Sequence, residues 1–385
     1  MKRRPIILAT GGTGGHVFPA EALASELLGR GRSLVLVTDA RGSTFSGTLG
    51  RLPVYSVHAG TPSQGGIVAR VHGLIATARG TLQARRMLEW LQPAVVVGFG
   101  GYASLPTMLA ATSRRIPTVV HEQNAVLGRA NRLVAPRVSS IALTFPATAK
   151  LRSHDHAKAE IVGNPVRVEI RALRANEYVP ASTDGLFNLL VLGGSQGASI
   201  FATLLPEALG GLPAQARARL RVVQQCRPED IAATHGRYKA AGVIAELSTF
   251  FSDVPRHMAA AHLMVTRSGA STVSEISVAG RPAIMVPFPF AADDHQAANA
   301  RALSDSAAAW TFVQRELTAG ALRDHVARLM TSPDELVVAA RNARGQARPD
   351  AARALANLVE EVLAGHAPLQ LAHSDDRLAG EGGAA

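Results

Sequence analysis

Two stretches of the 385-residue chain carry the same chemical pattern. Ile7-Leu8-Ala9-Thr10-Gly11-Gly12-Thr13-Gly14-Gly15 lies near the start, and Leu190-Val191-Leu192-Gly193-Gly194-Ser195-Gln196-Gly197-Ala198 near the middle. Each reads as a short buried strand that ends in a glycine-rich loop and opens a helix. Backbone N–H groups and a helix N-terminus then face an anion, usually a phosphate. A dinucleotide fingerprint is met only in part: Gly12 and Gly14 fit, but Val17 stands where the third glycine belongs. Asp39, after the second strand, leaves a nicotinamide cofactor compatible with this half alone. No G-x-x-x-x-G-K-[ST] occurs, which argues against a P-loop NTPase.

The side chains beside these loops could do acid–base and sugar-binding work. His16 sits where the first loop becomes a helix. A helix N-terminus disfavours the imidazolium, leaving a neutral ring able to accept a proton. A second glycine corner, Gly98-Phe99-Gly100-Gly101-Tyr102, follows the apolar run at 95–97, and Val119-Val120 runs straight into His121-Glu122-Gln123-Asn124. Ligand crevices of open parallel sheets lie at the carboxyl ends of strands, so His16, Tyr102 and the 121–124 group are expected on one rim. In the second half, Val265 to Glu275 is again strand, glycine turn and helix start. Glu275 could accept two hydrogen bonds from a vicinal diol such as a ribose. Asp293-Asp294-His295-Gln296-Ala297-Ala298-Asn299 invites a metal reading, but no matched ligand set supports it, and Gln296 and Asn299 suit sugar hydroxyls better.

Positioning these groups requires alternating strands and helices. Buried parallel strands are expected at Ile6–Ala9, Leu34–Val37, Ala94–Val97, Thr118–Val120 and Ser140–Leu143. The pattern restarts at Leu189–Leu192, Leu220–Gln224, Val243–Ala245, Leu263–Thr266 and Ala283–Val286, with helical patterns such as Phe18–Gly29 and Tyr102–Ala111 between strands. The fold class is α/β: two doubly wound, Rossmann-like domains facing a central cleft. Gly163-Asn164-Pro165 is the expected hinge. The domains are then 1–163 and 164–349, with a final amphipathic helix at about 350–364 packing back on the first. The tail 365–385 is expected to be disordered.

Composition bounds the rest. With 47% apolar residues the chain can bury a large core, and its one cysteine, Cys226, excludes an intrachain disulfide. The apolar run after Lys2-Arg3-Arg4 is too short for a signal peptide, and no stretch approaches the roughly 18 apolar residues of a membrane span. Residues 1–165 hold 19 Lys/Arg against 7 Asp/Glu, whereas residues 166–385 hold 21 against 22. A basic first half points to an anionic partner. Aromatics are only 4% and no nucleic-acid-binding signature appears, so no nucleic acid is expected. The segment from Ile67 through Leu74-Ile75 to Trp90 is apolar with almost wholly basic polar positions. It reads either as a core helix with a solvated face or as a surface that docks on anionic lipid.

Gly11–His16, Gly98–Tyr102, His121–Asn124, Gly163-Asn164-Pro165-Val166-Arg167, Gly193–Ala198, Arg267–Glu275 and Asp293–Asn299 occur in one order and spacing. In this the chain closely resembles the bacterial peptidoglycan glycosyltransferases that convert lipid I to lipid II, over nearly its whole length to about residue 363. The resemblance implies a glycosyltransferase B fold with acceptor in the first domain and donor in the second. It implies UDP-N-acetylglucosamine as donor and undecaprenyl-pyrophosphoryl-N-acetylmuramoyl-pentapeptide as acceptor, with no cofactor and no metal. It further implies a peripheral place on the cytoplasmic face of the inner membrane, against an anionic surface, in a pathway serving cell shape and division. Carried over, Arg167 and Ser195 contact the donor diphosphate, Gln196 lies beside them, and Ala270, Ser271 and Glu275 line the nucleotide site with Glu275 on the ribose. Gln296 reads the sugar and Phe251 borders the uracil, while Thr13, Gly14, Gly15 and Asn124 reach the donor across the cleft. His16, Gly100, Gly101, Tyr102 and Asn131 form the acceptor side. For the inverting attack His16 is the first choice of base and Glu122 the second. The chain departs from the family pattern at Leu105, at Gln225-Cys226-Arg227, around Phe251 and at His295. The rival readings are a UDP-N-acetylglucosamine epimerase of the same fold and a non-catalytic sugar-nucleotide-binding protein; a nicotinamide oxidoreductase leaves Arg267–Glu275 without a role.

Overall fold

The computed structural model describes residues 4–11, 14–39, 45, 47–60, 66–194 and 198–365. Thr13, Ser195, Gln196 and the tail beyond Gly365 lie outside the described residues. The first half runs β1 (Ile6–Ala9), α1 (Gly14–Gly29), β2 (Leu34–Thr38), β3 (Val54–Ser56), α2 (Ile67–Leu91) and β4 (Val95–Gly98). It continues with α3 (Gly101–Ser113), β5 (Thr118–Glu122), α4 (Arg129–Val134), β6 (Ser140–Leu143) and β7 (Ala159–Ile161). These strands form one parallel sheet in the order β3-β2-β1-β4-β5-β6-β7.

The second half opens with α5 (Val168–Ala172), β8 (Phe187–Leu192), α6 (Ser199–Gly210), α7 (Ala214–Arg219), β9 (Leu220–Gln225) and α8 (Ile231–Ala240). Next come β10 (Ile244–Ser248), α9 (Val254–Ala260), β11 (Leu263–Thr266), α10 (Ala270–Ala279) and β12 (Ala283–Met285). The chain ends on α11 (His295–Ser304), β13 (Ala309–Thr311), α12 (Ala319–Thr331), α13 (Pro333–Gln346) and α14 (Ala351–Ala364). The second sheet is also parallel, in the order β10-β9-β8-β11-β12-β13. Both sheets reverse strand order beside their first strand, where doubly wound folds open their crevice.

Continuous apolar runs form the central strands because helices cover both faces there. The strands the sequence leaves unassigned, β3, β7 and β13, are three-residue edges, too short to carry a periodic signal. The sequence reading ends β5 at Val120, but the strand continues through His121 and Glu122, which are buried in the sheet.

Two helices pack in ways that the βα alternation does not dictate. α14 follows the second half in sequence yet packs against the first sheet: Leu355, Leu358, Val359 and Val362 share a core cluster with Ile6, Leu8, Leu23 and Val97. Its Glu360 pairs with Arg30 and Arg32 at the end of α1. α2 buries only a narrow stripe of mostly small residues, Gly73, Thr77, Gly80, Ala84 and Leu88. A Cβ on Gly80 would collide with the backbone oxygen of His58, so this close approach requires glycine. On the other side Val68, Val71, Leu74, Ile75 and Leu82 are exposed, Val68 at 69% and Leu82 at 63%.

Because α14 completes the first core from far along the chain, Leu355→Ala should cost about 2–5 kcal/mol of stability, as large-to-small changes in packed cores do. Urea denaturation monitored by circular dichroism checks this. A change below about 0.5 kcal/mol would mean that α14 is not part of the cooperative core.

Candidate active site

The carboxyl ends of β1, β4 and β5 bring one group of residues together. His16 lies in the first turn of α1, and its Nδ1 is 2.9 Å from Gln123 Oε1. Gly100 and Gly101, at φ 83° and 70°, turn the chain from β4 into α3 against the His16 ring. A Cβ on Gly101 would stand 3.3 Å from His16 Nε2, and one on Gly100 would stand 3.3 Å from Asn131 Nδ2. Only glycine provides both the conformation and the space. Gln123 Nε2 donates to His121 Nδ1 at 2.9 Å and to the His121 carbonyl at 3.0 Å. His121 Nε2 meets the carbonyl of Gly163 at the hinge, 2.9 Å away. Burial pushes the fully enclosed His121 ring down to about 4; the Gly163 bond opposes this and the nearby His16 adds to it.

Glu122 takes a different place from the rim expected of it. It is buried, and both carboxylate oxygens are engaged: Oε1 by the backbone N and Nδ2 of Asn124, Oε2 by the backbone N of Gly128 and Nδ2 of Asn131. Held by four donors, the carboxylate organises the 124–131 loop. Tyr102 leans on the apolar cluster beside α3. His16, Gln123, His121, Asn131 and the two glycines therefore converge, while buried Glu122 holds the adjoining loop and half-buried Tyr102 packs beside them.

In the second half α10 begins at Ala270, directly after the loop that follows β11. Ser271 Oγ, in its first turn, is buried and makes no hydrogen bond to any described residue. One turn on, Glu275 pairs with Arg167 in a bidentate fork at 2.9 and 3.1 Å. The two residues, read separately as ribose and diphosphate contacts, are thus each other's partners here. Burial raises the Glu275 carboxyl and the Arg167 charge pulls part of that back. The Arg167 guanidinium also lies over the ring of Phe18 on α1, 5.5 Å from its centroid. Gln296 Oε1 accepts from the backbone N–H groups of Ser268 and Phe288, tying the loops after β11 and β12. Phe251 is buried edge-on against His257, and Gly14 and Gly15 open α1.

Polar side-chain contacts also cross between the halves. Buried Asn299 accepts from the backbone N of Ala125 at 2.7 Å and donates to Asn124 Oδ1 at 3.1 Å. Asp293, in the left-handed region at φ 55°, meets Arg132, Lys150 and Arg129 of the first half. The Lys150 hydrogen bond, reinforced by the Arg132 and Arg129 charges, holds its carboxyl below the usual range. Its oxygens are therefore engaged by cations, and no group of three or more His, Cys, Asp or Glu side chains that could hold a metal ion occurs among the described residues.

Known proteins share this architecture and much of the sequence. The glycosyltransferase family 28 N-terminal domain matches residues 6–143 and the C-terminal domain of the same family matches residues 188–355. The chain is 55% identical over 355 residues, 92% of its length and 91% of the relative's, to a Rhodospirillum rubrum protein. That relative is named UDP-N-acetylglucosamine--N-acetylmuramyl-(pentapeptide) pyrophosphoryl-undecaprenol N-acetylglucosamine transferase. The chain belongs to glycosyltransferase family 28. The crystal structure of Acinetobacter baumannii MurG superposes on this family 28 chain with a TM-score of 0.76 at 29% identity, covering 93% of this chain and 99% of that one. A putative UDP-N-acetylglucosamine 2-epimerase from Listeria monocytogenes reaches a TM-score of 0.65 at 12% identity, covering 94% and 97%, a likeness of fold alone.

Sequence reasoning missed Gln123 as the partner of His16, Asn299 as the bridge to Asn124, and Asp293 as the acceptor of three cations. The unevenly basic first half was the signal for the last. For this glycosyltransferase the buried His121 also sets a pH dependence. Its folded-state value lies below that of the free side chain, so the unfolded chain binds more protons between pH 6.5 and 4. Its contribution is complete above pH 6.5 and should fall by roughly 2 kcal/mol at pH 5 and about 3 kcal/mol below pH 4. Urea titrations at pH 7.5 and pH 5 should show this loss in the native chain and not in His121→Phe. Equal pH slopes in both would assign the acid sensitivity elsewhere.

Proposed function

We propose that this glycosyltransferase moves N-acetylglucosamine from UDP-N-acetylglucosamine to the C4 hydroxyl of the N-acetylmuramoyl-pentapeptide of lipid I, with inversion, giving lipid II. The observation that carries this reading is 55% identity to the Rhodospirillum rubrum transferase across 92% of this chain. The first half (1–163) takes the acceptor and the second (164–349) the donor, with the 350–364 helix completing the first.

In the proposed reaction the acceptor oxygen attacks the anomeric carbon of the α-linked donor. The bond from that carbon to the β-phosphate oxygen breaks, and its electron pair leaves on UDP. The hydroxyl proton passes to Nε2 of neutral His16. Arg167, the Ser271 hydroxyl and the N-terminus of α10 meet the diphosphate charge, and Glu275 takes the ribose diol. Gln296 and Asn124 hold the sugar, Phe251 borders the base, and Gly100, Gly101, Tyr102 and Asn131 shape the acceptor side. Closure of the halves aligns both substrates and excludes water.

Membrane contact belongs to the same reading, because the acceptor is a lipid. No described helix is long and apolar enough to cross a bilayer. The exposed Val68, Val71, Leu74, Ile75 and Leu82 of α2, interleaved with Arg70, Arg79, Arg85 and Arg86, suit docking on the anionic cytoplasmic leaflet of the inner membrane.

The deciding assay follows labelled N-acetylglucosamine from its UDP donor to a soluble lipid I analogue. A disaccharide-lipid product is expected; donor turnover to an epimer without transfer would sink the reading. His16→Gln should lower kcat about 10²–10⁴-fold with donor affinity kept, whereas Glu275→Ala should chiefly weaken donor binding. Equal loss of donor affinity in both variants would overturn that division. Leu74→Asp with Ile75→Asp should abolish sedimentation with phosphatidylglycerol vesicles while transfer to the soluble analogue persists. Unchanged sedimentation would move the docking surface off α2.

A further inference from the structure

The contacts around His16 assign its tautomer. Gln123 Nε2 has two acceptors in reach, the His121 carbonyl at 3.0 Å and His121 Nδ1 at 2.9 Å. If the amide were reversed, its oxygen would face the lone pairs of that carbonyl. His121 would then have to donate from both ring nitrogens, to Gln123 and to the Gly163 carbonyl, and so carry a charge with no exposure to water. Burial, which pushes this ring down to about 4, opposes that state. The amide oxygen therefore points at His16, and a carbonyl oxygen can only accept. His16 must donate from Nδ1, which leaves the Nε2 lone pair beside the Gly100–Gly101 corner without a hydrogen-bond donor among the described residues.

We propose that Gln123 is a positioning residue for the transfer reaction: its amide, oriented by His121 and the hinge carbonyl of Gly163, holds His16 as the Nδ1–H tautomer with Nε2 ready to take the acceptor's proton. This rests on the reading of His16 as base. The chain of bonds runs from Gly163 through His121 and Gln123 to His16, and every donor in it has one acceptor. It does the orienting work that a carboxylate does behind a catalytic histidine elsewhere, with a neutral group. A carboxylate here would face the His121 carbonyl in a site without water to screen the repulsion. The amide supplies an acceptor on one side and two donors on the other, which this location requires.

The test labels histidine with 15N in the full-length protein and reads the His16 ring by long-range 1H–15N correlation at a pH where it is neutral, with the signal assigned by its loss in His16→Gln. The native ring should show the Nδ1–H pattern. Gln123→Leu should shift it toward Nε2–H and lower kcat at least about tenfold, but by less than the ~10²–10⁴-fold cost of losing a base, with the donor KM within twofold. Gln123→Glu keeps the side chain's size and an oxygen toward His16, so it should restore the Nδ1–H pattern, but only part of the turnover, because its second oxygen faces the His121 carbonyl. It also serves as the readout if the leucine variant does not fold. A native ring in the Nε2–H form, a tautomer unmoved in Gln123→Leu, or a Gln123→Glu protein that loses the Nδ1–H pattern would each overturn the proposal. If His16→Gln retains full turnover, the base reading fails, while the tautomer is still decided by the spectra.

Discussion

Four consecutive polar side chains at the carboxyl end of β5 must all be satisfied in a place almost without water, and the site is built around that requirement. His121, Glu122 and Gln123 are each no more than 2% exposed. An unpaired polar group there would cost about 1–3 kcal/mol, so each side chain must reach a partner. Each reaches a different element. His121 ties to the hinge at Gly163, Glu122 to the 124–131 loop, Gln123 to the first turn of α1, and Asn124 across the cleft to Asn299 on α11. The Gly163 turn, the 124–131 loop, His16 and the second half are thereby registered to one strand end. The site is precise because a rigid strand sets it and the loops follow.

The central strands were legible because helices on both faces demand continuous apolar runs, as in Ile6–Ala9 and Leu263–Thr266. The same rule failed at β5. His121 and Glu122 look like the start of a loop, and only long-range partners make a strand position tolerable for them. The identity of the site residues could be carried from motif resemblance, but their pairings could not. Arg167 and Glu275 lie 108 positions apart, and Asn124 and Asn299 lie 175 apart. No local pattern encodes which distant side chain will answer a buried charge. For α2, the mixture of apolar and basic residues was visible in the sequence. Which face was buried was not, because the buried stripe is drawn largely from glycine, threonine and alanine.

The contacts between the halves differ in strength. Asp293 with Arg129, Arg132 and Lys150 is partly exposed, and such pairs contribute about 0–1 kcal/mol each and weaken with salt. Asn299 is buried, and its bonds to Ala125 and Asn124 would have to be exchanged for water in any wide opening. A small dry polar contact thus joins the halves, with a looser charged rim outside it.

The Arg167–Glu275 fork adds a constraint on what can close the cleft. Both groups are already partly desolvated, and removing one partner of such a pair leaves the other charge uncompensated, at a cost of about 3–5 kcal/mol where burial is deep. Under the proposed roles, a ligand that offers only a diphosphate would satisfy Arg167 and strand Glu275. A ligand that offers only a diol would do the reverse. A nucleoside diphosphate sugar offers both at the spacing of one molecule, so it can replace the fork without leaving either charge unpaired. The fork therefore discriminates before any base-specific contact is made, because in its absence the two charges hold each other. The guanidinium also lies over Phe18 on α1, the helix that carries His16.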